Sequence, residues 1–234
     1  MKLSRFLVAT SLFAPAFTSL SQAENEEKES DAPEVEFAFQ EDFEKLEAGD
    51  VPSDYFVIEG EWSIVKTGDE NRALKVAEAP LVESQVQLGD SLRDMGGTVR
   101  ARVLADKKRR SSPRFGVGMH GMSGFRLRLV PAGNQLELVR SDEVAASTEI
   151  TWTAGDWWML ELSVEPDDTG EWNVTGRAWP EEGERPEKPQ IEFSEAEAKF
   201  SGKASVTATP YAGLPIFFDN IVVEKGTSAP SEEQ

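Results

Sequence analysis

Apolar and polar side chains alternate with a period of two along much of this chain, and that pattern leaves the backbone little choice. In Val99-Arg100-Ala101-Arg102-Val103, Phe125-Arg126-Leu127-Arg128-Leu129 and Leu136-Glu137-Leu138 every second residue is apolar. Successive side chains of an extended strand point to opposite faces, so such a run buries one face and wets the other. Trp158-Met159-Leu160-Glu161-Leu162-Ser163-Val164 continues the alternation, and residues 172–179 and 216–223 complete the clearest set. Gly68-Asp69, Gly96-Gly97, Gly121 to Gly124, Pro131 to Asn134 and Asp167 to Gly170 supply turn signals between them. Roughly a dozen or more short strands at this spacing predict an all-β chain folded as a two-sheet antiparallel β-sandwich or jelly roll. One short helix is predicted from Ser194 to Lys199, where Ser194 and Glu197 fit a capping box.

The two ends read differently. Residues 1–23 combine Lys2 and Arg5, an apolar run from Phe6 to Leu20 broken by Thr10, Ser11 and Pro15, and small residues at Ser21 and Ala23. That is the pattern of a cleaved export signal. The run falls short of the roughly 20 apolar residues a spanning helix needs. The mature protein is therefore expected outside the cytoplasm, in a periplasm or beyond, with no segment inserted in a membrane. Residues 24–36 hold seven acids against one lysine, too polar to bury, and are expected to be a disordered spacer. Residues 226–234 read as a polar, disordered tail, which leaves 37–225 as one domain.

The whole chain carries a net charge of −19, and removing Lys2 and Arg5 makes the remainder more acidic still. Phosphate backbones are bound by lysine and arginine, so nucleic acid is not an expected partner, nor is an anionic membrane surface. With no cysteine there is neither a disulfide nor a thiolate nucleophile.

Four segments carry a resemblance. Glu41-Asp42-Phe43-Glu44, Gly60-Glu61-Trp62-Ser63-Ile64-Val65, Gly155-Asp156-Trp157-Trp158 and Phe218-Asp219-Asn220-Ile221-Val222-Val223 occur in this order. Together they resemble the concanavalin A-like lectin/glucanase superfamily, in particular its bacterial laminin-G-like members, over about residues 37–224. Tyr55-Phe56 departs from it, since many relatives carry a tryptophan there. The resemblance implies two stacked antiparallel sheets, one concave. The superfamily holds carbohydrate-binding modules, glucanases, adhesion domains and 3-keto-disaccharide hydrolases, so it does not by itself assign an activity. It also implies a structural calcium, held by Asp219 with Asp42 or Glu44. A carboxylate within the apolar run 216–223 is costly without a cation or several donors. The alternative is a hydrogen-bonded Asp219 that ties the two ends of the domain together.

Candidate residues follow from strand parity. Arg100 with Arg102, and Arg126 with Arg128, share strand faces, and Arg140 and Arg177 fall on outward positions of two further strands. If these strands adjoin, they form a basic face suited to a carboxylate- or sulfate-bearing polysaccharide. The alternative is that each arginine pairs with a neighbouring acid. Trp157 and Trp179 fall on outward positions, where a ring could rest against a sugar, whereas Trp158 and Trp172 fall with core residues. His120, the only histidine, shares parity with Gly116 and Gly118 and would sit on an open strand face, either contacting ligand or exposed at a strand end. The glucanase pattern of three acids on one strand is broken at Glu161-Leu162-Ser163-Val164-Glu165, so Glu161 and His120 remain the only acid–base candidates. Lys107-Lys108-Arg109-Arg110 lies in a connection, as a site for an acidic partner, a protease-sensitive loop or simply a solvated turn. The expected function is a non-catalytic domain binding carbohydrate on one sheet face. The alternatives are a glycoside or 3-keto-disaccharide hydrolase and a protein-binding adhesion module.

Overall fold

The structure, a computed structural model, describes residues 35–68, 71–79, 81–196 and 199–230. The expected leader and nearly all of the expected acidic spacer lie outside these residues. The strands are β1 (Phe37–Glu41), β2 (Gly49–Asp50), β3 (Phe56–Glu59), β4 (Trp62–Thr67), β5 (Asn71–Val76), β6 (Ser84–Arg93), β7 (Met95–Leu104) and β8 (Arg114–Met119). They continue as β9 (Phe125–Val130), β10 (Gln135–Arg140), β11 (Glu143–Glu149), β12 (Trp157–Pro166), β13 (Trp172–Pro180), β14 (Ile191–Glu195), β15 (Ser201–Thr209) and β16 (Ile216–Ser228).

All pairings are antiparallel and fall into two sheets. Sheet A runs β14-β13-β12-β7-β16-β5-β4-β2, with β1 also paired to β16; sheet B runs β11-β10-β9-β8-β15-β6-β3. The predicted β-sandwich is the observed architecture. No helix among the described residues is long and apolar enough to cross a membrane.

The alternation explains the core. Val99, Ala101 and Val103 of β7 and Trp158, Leu160, Leu162 and Val164 of β12 face Phe115 and Val117 of β8, Phe125, Leu127 and Leu129 of β9, and Val206 of β15, all buried. Burial of each large side chain stabilises by about 1.5–3 kcal/mol, so this shared layer holds the sheets together. Interdigitation is close at Gly176, where a Cβ would lie 2.5 Å from Leu127 Cδ1 of the opposite sheet.

Several local expectations give way to this packing. Ser194 and Glu195 belong to β14, pairing with Asn173 and Trp172, so the capping-box pattern is overridden by an open sheet edge. Gly96 and Gly97 are not a turn but lie inside β7; their missing side chains make room for the Glu165 carboxylate and for Leu92. The chain reverses instead at Asp94, whose φ is 47°. β16 continues through Ser228, three residues into the stretch read as tail, and Ala229 donates its N–H to Asp94 O at 2.8 Å.

Leu127→Ala should lower stability by about 2–5 kcal/mol, and Gly176→Ala by about 1–3 kcal/mol through overpacking. Because each alters the same contact, the double variant should cost less than the sum of the two, read from urea-denaturation midpoints.

Candidate functional site

The expected basic face is in fact two faces. Arg100, Arg102 and Arg177 lie outward on sheet A with Trp157 and Trp179, whereas Arg126 and Arg128 lie outward on sheet B. Arg140 is not outward at all. It pairs with Phe125 across β9 and β10, places its guanidinium 5.6 Å from the Phe125 ring and 5.1 Å from the Phe200 ring, and forms an ion pair with Glu195.

On sheet A the arginines are engaged by acids. Glu161, only 1% exposed, accepts from Arg100 Nε (2.9 Å), Arg177 Nη1 (2.9 Å), and Arg185 Nε (2.9 Å) and Nη2 (2.6 Å). Arg177 also donates to Pro186 O (3.1 Å) and Glu187 O (3.4 Å), so residues 181–190 are clasped to the sheet. Trp179 is outward by register yet buried. Trp157 is half-buried, with the Arg102 guanidinium 4.1 Å from its ring centre. Burial alone would push the Glu161 carboxyl up, but the hydrogen bonds and charges of Arg185 and Arg100 outweigh it and hold it below the ordinary carboxylate range. A general acid needs the opposite shift, so Glu161 is suited to anchoring cations and not to donating a proton.

His120 is not on an open face. It follows the end of β8 in the left-handed region (φ 63°), and its ring is fully buried, 5.4 Å from Phe200 and 5.7 Å from Trp172. Strand parity fails because the strand stops at Met119. Nε2 donates to Met95 O at 2.8 Å, leaving Nδ1 without a partner. Burial pushes its pKa down, partly offset by that carbonyl, so the ring is neutral. Glu161 sits on the outward face of sheet A and His120 inside the sandwich, so the two acid–base candidates are not brought together.

Asp219 is buried, accepting from Asn220 N–H (2.7 Å) and Asn71 Nδ2 (3.2 Å), with Arg102 Nη1 at 3.6 Å. Glu44 accepts from Arg72 N–H (3.0 Å), and Asp42 turns to the Glu44 N–H (3.1 Å). These three acids do not fit calcium as a set: a guanidinium already faces Asp219, and Asp42 is turned away into its own loop. No group of three or more histidine, aspartate or glutamate side chains converges among the described residues.

The outward face of sheet B is different. Register places Phe56, Gln87, Ser205, Gly118 and Arg126 in one cross-strand row, and Glu59, Gln85, Thr207, Gly116, Arg128 and Glu137 in the next. Thr209 and Arg114 begin a third. Glycine at 116 and 118 removes two side chains from the middle of these rows, and the stem of Arg126 lies across the floor at Gly118. Arg128 donates Nε (3.0 Å) and Nη2 (2.7 Å) to Glu137 Oε2, and Arg126 donates Nη2 to Asp142 (2.6 Å). Gln85, Gln87, Ser205, Thr207 and Thr209 are polar, outward and nevertheless buried. Gln85 Nε2 and Ser205 Oγ have no hydrogen-bond partner. They are two of ten buried side-chain atoms without a partner among the described residues. Phe56, 58% exposed, closes the row at the sheet edge.

Of the residues singled out from sequence, this face contains Arg126 and Arg128. The others are revealed by the pairing, although Gln85-Val86-Gln87-Leu88 and Ser205-Val206-Thr207-Ala208-Thr209 carry the same alternation, with small or amide side chains in place of charges.

No protein-family model matches the chain, and no curated protein matches it. Solved structures do. The carbohydrate recognition domain of Emp47p aligns over 85% of this chain and 100% of that one, with 11% identity and a TM-score of 0.51. A galectin-like protein of unknown function from Bacillus subtilis aligns over 83% and 99%, with 12% identity and a TM-score of 0.51. The catalytic domain of a glycoside hydrolase family 131 protein from Coprinopsis cinerea aligns over 84% and 98%, with 12% identity and a TM-score of 0.51. At such identities these likenesses establish the fold alone, a concanavalin A-like jelly roll.

Glu161→Gln should cost about 3–5 kcal/mol, since it leaves three guanidinium groups facing a neutral amide. Because the folded Glu161 pKa is depressed, its stabilisation is present above the unfolded value near 4.5 and lost as pH falls through the folded value. The stability difference between wild type and variant should therefore be full at neutral pH and shrink below pH 4.5, checked by denaturant titration across pH.

Proposed function

We propose that the protein is a non-catalytic carbohydrate-binding domain and that glycan lies across the outward face of sheet B. The observation that carries this reading is the row of amide and hydroxyl residues, Gln85, Gln87, Ser205, Thr207 and Thr209, that register sets side by side on this face next to the exposed Phe56. Sugar hydroxyls both donate and accept, so an amide and hydroxyl array over a glycine floor matches them in kind. Phe56 offers an apolar ring at the end of the row for the C–H face of a sugar. The Arg128–Glu137 pair presents a fixed polar fork beside it. Structural neighbours of the same fold include carbohydrate recognition domains as well as polysaccharide-cleaving enzymes. The non-catalytic part of the reading rests on Glu161, which is sealed by arginines, and on His120, which is confined to the core.

A second reading is favoured by one observation. β3 is an edge strand whose Phe56, Val57 and Ile58 are all exposed, and an open apolar edge can take a strand from a protein partner.

Glycan-array binding of the intact chain should be positive, with no sugar released. Phe56→Ala and Gln87→Ala should each weaken it by about 1–3 kcal/mol, roughly five- to 150-fold. Trp157→Ala should leave it unchanged. Loss of binding in Trp157→Ala alone would move the site to sheet A, product release would make the domain an enzyme, and a captured protein with no glycan signal would favour the edge strand.

A further inference from the structure

The segment joining β7 to β8 places four consecutive cations, Lys107, Lys108, Arg109 and Arg110, on the surface of a chain whose net charge is −19. All four side chains are exposed, and none forms an ion pair among the described residues. That is unexpected where acids outnumber basic residues by 43 to 24. The adjacent acid, Asp106, is turned back onto the Lys107 N–H at 2.7 Å. The turn itself is fixed: Lys108 and Ser111 exchange both backbone hydrogen bonds at 3.0 Å, and Arg109 sits in the left-handed region at φ 60°. Its cations are therefore presented on a defined hairpin tip rather than on a slack loop.

The line of positive charge continues onto sheet B. Pro113 is buried, and the next residue, Arg114, opens β8 opposite Thr209, two positions before the glycine floor begins at Gly116. Among the described residues Arg114 meets no acid. Its Nη1 donates to the Tyr211 hydroxyl at 3.4 Å and its guanidinium lies 5.1 Å from the Tyr211 ring. Deeper in the rows, Arg126 and Arg128 are already bonded to Asp142 and Glu137. The floor is thus equipped for hydroxyls, and the unneutralised cations stand at one margin.

We infer that the glycan bound across sheet B is a polyanion, a polysaccharide bearing carboxylate or sulfate groups, and that Lys107, Lys108, Arg109, Arg110 and Arg114 meet those groups. This rests on the carbohydrate-binding reading of sheet B. The overall negative charge repels any polyanion over most of the surface, so attraction is confined to this margin. Duplex DNA, with about one charge per 1.7 Å of axis, is repelled more strongly than a polysaccharide charged at most once per sugar. A chain that lays its hydroxyls along the outward face of sheet B and its acidic groups on the turn uses both features.

The test is equilibrium binding of the full chain to polygalacturonate, to a neutral β-glucan and to duplex DNA, at low and moderate salt. The variant Lys107→Ser, Lys108→Ser, Arg109→Asn, Arg110→Ser keeps a residue tolerant of positive φ at position 109. Polygalacturonate should bind best, losing on the order of tenfold or more both with added salt and in the variant, while the thermal midpoint stays that of wild type. The wild-type salt dependence reads the same charge effect without any substitution. Neutral glucan bound as tightly as polygalacturonate, and equally by the variant, would overturn the anionic ligand while leaving the glycan reading intact. Failure of both polysaccharides would sink the glycan reading and this inference together. DNA bound as tightly as polygalacturonate would reduce the turn to a general cation patch and overturn the inference.

Discussion

A side chain on a strand has two directions available, and a sandwich assigns them different solvents. The inward positions of both sheets share one apolar layer, in which Leu127 of one sheet fills the space that Gly176 leaves in the other. Once that layer is packed, a one-residue slip of any central strand would bury its charged set, so register is locked throughout. Every outward group then acquires fixed neighbours, and the chemistry of the two outer faces follows from that locking.

The two outer faces spend their polar groups differently. On sheet A charge is matched with charge. Glu161 gathers Arg100, Arg177 and Arg185, while Arg102 lies between Asp219 and Glu181, and residues 181–190 are held to the sheet by Arg177 and Arg185. Buried carboxylates with several guanidinium partners hold segments in place; little capacity is left over for a ligand. On sheet B two arginine–carboxylate pairs frame a set of amides and hydroxyls, some with bonding capacity unspent.

Asp219 shows how the same residue can serve either purpose. Burial pushes its carboxyl up, and the Asn220 N–H, Asn71 and Arg102 counter this only in part, with Glu44 nearby adding to the rise. Asn71 comes from β5, Arg102 from β7 and Asp219 from β16, so the acid ties three adjacent strands of sheet A through one hydrogen bond and one ion pair. Glu165 plays a comparable part where Gly96 and Gly226 leave room for its carboxylate, which accepts from the Thr227 N–H and hydroxyl.

Sequence periodicity was sufficient for the fold class, for most central strands and for the inward or outward assignment of Arg100, Arg126, Trp157, Trp158 and Trp172. These depend only on the two-residue repeat, a property of the backbone that no partner alters. It failed where a strand ended or a neighbour intervened: at His120, one residue past β8, and at Ser194, recruited into an edge strand; Arg140, expected outward, instead follows the parity of Leu136 and Leu138 to the inner face. Which outward rows lie side by side was decided by tertiary structure alone, because strand order is a non-local choice. The arginines of β7 and β9, alike in sequence, therefore came to rest on different sheets, those of β7 among Glu161, Glu181 and Asp219 and those of β9 paired with Glu137 and Asp142 beside a row of amides and hydroxyls.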